Sequence, residues 1–347
     1  NNFDDPAPYT IPANSLRCIL PERGATPDSG GSLVVENIGP PLTSGLEDLA
    51  ISGSIFIALS DESAHLDGLS GLRHLLGDLT IDETIDPNLM KPTSRLGFDG
   101  LENLATIRGS IQYRSLVSSQ PTRPFTFDAL TSLVEVKGDL IDIKENGFGT
   151  TATGACFWNQ FDTNDDVNGR FEGYYATVES FAGLGALRRI GGDVCLAATS
   201  PGGVNLAGLE NLESIEGDFI IAYQDAPPTL ATDDIIPVSY DGLSNLRHVG
   251  KTFGTHLGQV EVDSEFFTIA MPVDSYAGLE NLTSIGGHFV VVMGENFDNF
   301  AALSNLQSIG GHLLVQGELN NAAPTPIFSN LSSLQRIDRT LHLKDTN

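Results

Sequence analysis

A motif built around Gly-Leu-x-x-Leu recurs along most of the chain and constrains the fold more than any other sequence feature. The stretches GLENLATIRGSIQY, GLENLESIEGDFII and GLENLTSIGGHFVV begin at Gly100, Gly208 and Gly278. Aligned on the first leucine, successive copies lie 23 to 36 residues apart, except for one interval of 54 residues. The aligned leucines are Leu46, Leu69, Leu101, Leu130, Leu184, Leu209, Leu243, Leu279, Leu303 and Leu331.

Each copy has a helical or 3₁₀ half followed by a strand half. An aromatic residue precedes Gly/Ala-Leu-x-x-Leu-x-x-Ile, and a glycine and a short apolar run follow. The first spacing suits one short turn, and the apolar run suits a short strand. One unit cannot bury its apolar face alone, whereas stacked units cover one another. We therefore predict a mainly β fold, a parallel β-solenoid of about ten units. The glycine is expected to have a positive φ or to permit close backbone approach.

The copies FDGLENLATIRGSIQY, YAGLENLTSIGGHFVVV and FAALSNLQSIGGHLLVQ resemble the repeat of receptor L domains, over roughly residues 41–347. The resemblance implies a right-handed β-solenoid of leucine-rich-repeat character. Such domains bind ligands in growth-factor receptors and also occur in microbial surface proteins. The sequence lacks the cysteine-rich modules and kinase of those receptors, so receptor signalling is not implied. Because the repeated residues are packing residues, the resemblance indicates a fold and not a ligand.

The repeat divides the chain into a cap and a solenoid. Residues 1–40 lack the repeat and are rich in Pro, Gly and Asp, which is typical of an N-terminal cap. The repeat solenoid is predicted over 41–347 and contains an aromatic-rich insertion at 144–180 with the single Trp158. Long loops on rigid scaffolds often carry function; the alternative is an insertion that packs its own aromatic residues on the solenoid. The last unit loses the glycine and gains Arg and Lys, which suits a capping or fraying end.

The charge balance excludes several classes of partner. The chain has 18 Lys and Arg against 45 Asp and Glu, a formal charge of −27. Such a surface repels phosphate backbones and anionic lipids, so we expect no nucleic-acid partner. No apolar run is long enough for a membrane span, and no zinc, nucleotide or hydrolase motif is present. We interpret the start, NNFDDPAPYT, as a mature chain whose signal peptide has been removed, which predicts an extracellular or cell-surface location.

Alternation along the predicted strands places two columns of residues on the outer face of the sheet. Neighbouring strands lie about 4.8 Å apart, so stacked carboxylates repel one another or hold a cation such as Ca²⁺. A solvated charged row is the alternative interpretation. The residues directly after the repeat glycine, which form the first column, are Asp78, Ser110, Asp139, Asp193, Asp218, Lys251, His288, His312 and Thr340.

The second column is less polar and needs cover from inserted loops or from another molecule. Both columns are candidate binding surfaces. The residues of the second column, three positions after the glycine, are Thr80, Gln112, Ile141, Cys195, Ile220, Phe253, Val290, Leu314 and His342.

A candidate metal loop lies inside the insertion. The stretch DTNDDVNG places oxygen ligands at Asp162, Asn164 and Asp166, as a calcium loop does. Val167 and Gly173 stand where an EF-hand has Gly and Glu, so an Asp/Asn-rich turn is the alternative. Apart from Ca²⁺ we expect no cofactor.

The three cysteines leave the disulfide pattern open. Cys18 lies in the cap, Cys156 in the insertion and Cys195 in the second column. A Cys156–Cys195 disulfide would fasten the insertion to the sheet; free thiols are the alternative.

These features predict a non-catalytic extracellular or cell-surface protein that acts through binding or self-assembly. It would be either a structural subunit of a surface layer or fibre, or an adhesion or recognition module. Its partners would be copies of itself, a surface protein or a glycan. The alternative function is a polysaccharide-active β-helix enzyme that uses Asp139, Asp193 and Asp218 as acid, base or metal ligands.

Overall fold

The fold is mainly β, and the helices among the described residues are short 3₁₀ turns, which include Ala182–Leu184, Asp241–Leu243, Ala301–Leu303 and Phe328–Asn330. Strands are numbered in chain order. The computed structural model describes residues 18–19, 33–36, 50–51, 53–58, 69–82, 97–115, 125–140, 142–145, 178–198, 204–223, 239–256, 258–262, 265–269, 272–273, 275–293, 297, 299–316 and 328–344.

One long parallel sheet runs through the successive units of the repeat. Its eleven strands have two residues each, and their spatial order follows the chain order, so each unit stacks on the one before it. The strands are β1 (Cys18–Ile19), β3 (Ala50–Ile51), β5 (His74–Leu75), β7 (Thr106–Ile107), β10 (Glu135–Val136), β13 (Arg189–Ile190), β15 (Ser214–Ile215), β17 (His248–Val249), β22 (Ser284–Ile285), β24 (Ser308–Ile309) and β26 (Arg336–Ile337).

The second strands of the units form two further parallel sheets, and the long insertion lies between the two sets of strands in the sequence. The first contains β2 (Leu33–Glu36), β4 (Ile55–Ala58), β6 (Leu79–Asp82), β8 (Ile111–Ser115) and β11 (Asp142–Glu145). The other contains β14 (Val194–Ala198), β16 (Phe219–Tyr223), β18 (Phe253–His256), β23 (Phe289–Met293), β25 (Leu313–Gln316) and β27 (Leu341–Lys344), with β21 (Pro272–Val273) beside β23.

Two strand pairs lie outside these three sheets. Strands β9 (Phe125–Thr126) and β12 (Val178–Ser180) pair in parallel. Strands β19 (Gly258–Val262) and β20 (Glu265–Ile269) form an antiparallel hairpin between β18 and β21. Strand β20 also contacts β18 and β23. The three stacked sheets are compatible with a parallel β-solenoid, as the repeat predicts.

The core contains the repeated residues in continuous columns. Among the described residues, the aligned leucines from Leu69 to Leu303 are at most 1% exposed, and Leu331 is 6% exposed. The predicted aromatic column is also present, with ring centroids 5.6 Å apart for Phe98 and Phe127 and 5.7 Å apart for Tyr240 and Tyr276. Matching positions therefore meet matching neighbours, which explains why the same residue types recur.

The recurring asparagine of the motif has a packing role that explains its repetition. Each Nδ2 donates a hydrogen bond to a backbone carbonyl of the preceding unit. The donor and acceptor pairs are Asn103 and Ser70, Asn211 and Gly185, Asn245 and Glu210, Asn281 and Ser244, and Asn305 and Glu280, all at 2.7 or 2.8 Å.

The repeat glycines permit close approach and do not supply the positive φ. A Cβ on Gly217 would lie 2.1 Å from Asp193 Oδ1, and one on Gly109 would lie 2.0 Å from Asp78 Oδ1. Positive φ occurs instead in the turns, at Gly100, Gly208 and Gly278. The glycine after the isoleucine therefore leaves room for a side chain of the preceding unit.

Candidate functional site

The first predicted column is a hydrogen-bonded ladder, here called the polar ladder. In most units, a side chain accepts a hydrogen bond from the backbone amide of the equivalent residue in the next unit. The bonds are Asp78 N to Ser54 Oγ (2.9 Å), Ser110 N to Asp78 Oδ1 (2.8 Å), Asp139 N to Ser110 Oγ (3.0 Å), Asp193 N to Asp139 Oδ1 (2.7 Å), Asp218 N to Asp193 Oδ1 (2.8 Å), Thr252 N to Asp218 Oδ1 (2.7 Å), His312 N to His288 Nδ1 (3.1 Å) and Thr340 N to His312 Nδ1 (3.2 Å).

These bonds assign the column a structural role. A carboxylate that accepts from an amide forms a charge-assisted bond, which is stronger than a neutral one. The row is only partly accessible to solvent, because Asp193 and His312 are 4% and 3% exposed, whereas other members such as Asp78 and Asp139 are half-buried. The ladder therefore holds successive units together.

Lys251 does not belong to the column in which the sequence alignment placed it. Its amide bonds to Gly217 O, so Lys251 occupies the glycine position of its unit and Thr252 occupies the ladder position. The same one-residue error placed Phe253 on the outer face. Phe253 pairs with Phe219 and is 1% exposed, so it lies in the core, and Gly254 takes the outer position.

From the glycine position, Lys251 reaches two carboxylates of the ladder. Its Nζ lies 3.1 Å from Asp193 Oδ1 and 4.0 Å from Asp218 Oδ2. Burial raises the pKa of the Asp218 carboxyl and the charge of Asp193 adds to the rise, although the Thr252 amide and Lys251 oppose it. Burial tends to lower the pKa of Lys251, but the hydrogen bond to Asp193 and the neighbouring carboxylates raise it overall. The lysine thus offsets part of the repulsion between the carboxylates.

Two histidines continue the ladder in later units. The rings of His288 and His312 stack with centroids 5.2 Å apart. Because each Nδ1 accepts an amide hydrogen, that nitrogen carries no proton in this arrangement. The ladder therefore uses neutral imidazoles here and carboxylates in earlier units.

The second predicted column is covered within the chain itself. Thr80 is fully buried, and Thr80 Oγ1 donates to Gln112 Oε1 at 3.3 Å. Gln112 Nε2 donates to Asp78 Oδ2 at 3.0 Å, which links this column to the ladder. The apolar members Ile220, Leu314 and Val290 are 3%, 6% and 9% exposed, so they do not form an open binding face. Ile141 lies outside the described residues.

Cys195 forms a disulfide, so the free-thiol alternative is wrong for this residue. Cys18 lies on β1, and Cys195 belongs to the unit that contains β13. These two strands are five spacings apart in the long sheet, or about 24 Å at about 4.8 Å per spacing. Disulfide-bonded Cα atoms lie within about 7 Å. Cys156 lies outside the described residues, and its pairing with Cys195 stays a prediction that this distance supports.

The calcium-loop residues Asp162, Asn164 and Asp166 also lie outside the described residues. Within the described ranges, no group of three or more His, Cys, Asp or Glu side chains is arranged to hold a metal ion. None of the helices in these ranges has the length and apolarity needed to cross a bilayer.

Sequence reasoning did not consider the outer face of the long sheet. Arg188 and Arg189 extend from it, and their side chains are 61% and 56% exposed. They pair with Glu213 at 2.7 Å and Glu216 at 3.1 Å. The sequence contains a signal for this basic surface, because basic residues recur next to the second leucine and the isoleucine of the motif.

Comparison with known proteins identifies no relative of this chain. No protein-family model matches it, and neither the curated proteins nor the solved structures include a match.

Proposed function

We propose that this chain is a non-catalytic extracellular or cell-surface protein that acts through binding or self-assembly. On this proposal it is a right-handed β-solenoid of about ten units, like the receptor L domains that its repeat resembles. Its partners are copies of itself, a surface protein or a glycan.

The polar ladder carries this proposal. Catalysis or metal binding on the sheet would need carboxylates that turn toward a ligand. The Oδ1 atoms of Asp139, Asp193 and Asp218 instead accept backbone amides of the next unit. An extended scaffold whose polar residues stabilise the stacking suits binding over a long surface better than chemistry at one point.

Two apolar side chains of the last described strand are exposed. Leu341 and Leu343 are 46% and 45% exposed. They pair in register with Leu313 and Val315, which are each 1% exposed. Both leucines thus occupy core positions of the last described strand, where a strand added beside β27 would cover them.

Light scattering and electron microscopy of one sample, in Ca²⁺ and again in EDTA, test the proposal. Fibres or large particles would establish a structural subunit, and their loss in EDTA would assign a role to Ca²⁺. A monomer in both conditions would favour the recognition module, to be tested against glycans and surface proteins. A monomer that binds none of them would contradict the proposal.

The polysaccharide-active enzyme remains the alternative proposal. It needs Asp139, Asp193 and Asp218 to act as acid, base or metal ligands, which competes with their amide bonds. Release of new reducing ends from a polysaccharide, and its loss in Asp193→Asn, would favour the enzyme over the binding protein.

A further inference from the structure

A cluster of cationic side chains lies on the outer face of the long sheet, here called the basic patch. It consists of Arg73, Arg108, Lys137, Arg188 and Arg189, all exposed. They belong to four consecutive units, whose strands β5, β7, β10 and β13 are neighbours in the sheet. At about 4.8 Å per strand the cluster is about 14 Å long, measured over three spacings.

The register places the patch in three columns that run along the stack. Ala105 N bonds to Arg73 O, Val134 N to Ala105 O, and Arg188 N to Val134 O, so these four positions form one column. The middle column contains His74, Thr106, Glu135 and Arg189. The third column contains Leu76, Arg108, Lys137 and Gly191.

The charge of the patch contrasts with that of the whole chain. Five cations and the carboxylate of Glu135 give the face positions of these units a formal charge of 5 − 1 = +4. Glu213 and Glu216 of the next unit, which pair with Arg188 and Arg189, reduce it to 5 − 3 = +2, in a chain of −27. The turn segments 98–103 and 127–132 of these units contain no Lys or Arg, and neither do the turn segments 206–211, 240–245 and 276–281 of the following units. Their exposed acidic residues are Asp99, Glu102, Asp128, Glu210, Asp241 and Glu280.

Apolar and hydroxyl-binding side chains interrupt the patch. Leu76 and Val134 are 44% and 39% exposed, two of the four large apolar side chains found exposed in the described part of the chain. His74 Nδ1 and Thr106 Oγ1 lie 2.8 Å apart on the same face. Arginine binds carboxylate or sulfate groups, and side chains such as those of His74 and Thr106 bind hydroxyl groups. Together with the apolar side chains, they match the groups of an acidic sugar.

We propose that the basic patch binds a linear acidic polysaccharide along the direction of the stack. This inference rests on the proposed binding function and names the partner class and its surface. Arginine forks pair with the anionic groups, and Leu76 and Val134 contact the C–H faces of the sugars. The columns run along the stack, so an extended polymer that follows them contacts several units.

A polymer strand suits this surface better than a membrane does. An anionic bilayer is a broad plane and would bring the acidic turn segments against a surface of the same sign. Charges beyond about 8 Å are screened at physiological salt, so a strand over the patch responds mainly to the patch. Duplex nucleic acid carries one charge per about 1.7 Å, a density that would strengthen repulsion by the rest of the chain.

Fluorescence anisotropy of labelled polygalacturonate and labelled dextran sulfate tests the proposal, with neutral dextran as the control polymer. We expect one or both anionic polymers to bind, more weakly as salt rises, and neutral dextran not to bind. The two polymers distinguish recognition of carboxylate from recognition of sulfate. Absence of binding to both at low salt would overturn the proposal, as would tighter binding to single-stranded DNA or phosphatidylserine vesicles.

A pair of charge-reversal variants locates the site. Arg108→Glu with Lys137→Glu should weaken binding about tenfold or more. The matched control, Arg247→Glu with Arg336→Glu, makes the same charge change on the same sheet outside the patch and should retain affinity. Equal weakening in both pairs of variants would show an effect of net charge and overturn the assignment.

Light scattering of the same samples distinguishes a failure of this inference from a failure of the proposed function. Assembly without polymer binding would contradict only this inference.

Discussion

The carboxylate of Asp193 accepts a hydrogen bond from the backbone amide of Asp218, at 2.8 Å. The two residues are 25 positions apart in the chain and occupy the same position in successive units. An amide buried without a partner is costly, so the side chain of one unit satisfies the backbone of the next.

Removal of this acceptor should destabilise the stack. Asp193→Ala leaves the Asp218 amide without its side-chain partner and removes one carboxylate from Lys251. We expect a loss of about 1–3 kcal/mol in the free energy of unfolding, measured by urea denaturation. Asp193→Asn is the matched control, because its Oδ1 still accepts the amide, and it should lose less. Equal losses in the two variants would argue against the ladder bond.

The glycine beside the ladder should not tolerate a methyl group. In Gly217→Ala the new Cβ would lie 2.1 Å from Asp193 Oδ1, so the ladder must shift, at a cost of about 1–3 kcal/mol. Gly185→Ala is the control, because nothing lies within 4 Å of a Cβ there and its φ is −60°. Thermal unfolding of both variants measures the difference, and unchanged stability in Gly217→Ala would contradict the close approach.

The stability effect of Asp218 should depend on pH in a defined direction. Its pKa is raised by burial in the folded protein, so the folded state holds this proton more tightly than the unfolded chain does. The ionised carboxylate therefore costs stability above the folded pKa, and the cost disappears below the ordinary value of 3.8.

Asp218→Asn keeps an oxygen for the Thr252 amide and removes that charge. At pH 7 it should equal or exceed the wild type in stability, by less than about 2 kcal/mol. The advantage should shrink as the pH falls toward 3.8, the ordinary value for this group. Urea unfolding of both proteins at several pH values measures it. An advantage that grows on acidification would show that the sign is wrong.

The buried second column should not accept a charge. Val290 and Leu314 are 9% and 6% exposed, so an unpaired carboxylate at either position would be buried. We expect Val290→Asp and Leu314→Asp each to lose several kcal/mol or to fail to fold. Leu343→Asp is the control, because Leu343 is 45% exposed, and it should fold normally. Circular dichroism melts distinguish the outcomes, and a stable Val290→Asp would place this column on an open face.

Single positions show where sequence reasoning succeeded and where it failed. Leu209 and Ile215 were correctly placed in the core, because the spacing of apolar residues reflects which side of a unit is buried. Lys251 was misplaced because the alignment used Gly250, whereas packing aligns Phe253 with Phe219 in the core. One residue of slip exchanges the inner and outer faces of a strand.

The sequence by itself determined that this chain stacks similar units into parallel strands with leucine and aromatic columns inside. Periodic apolar residues suffice for that, since a unit cannot bury its face without a neighbour. Only the tertiary structure decided what the outer columns do. The amide that Asp139 accepts belongs to Asp193, 54 residues further along the chain and 2.7 Å away in space. Composition and spacing do not contain that contact, because stacking alone determines which amide lies beside each carboxylate.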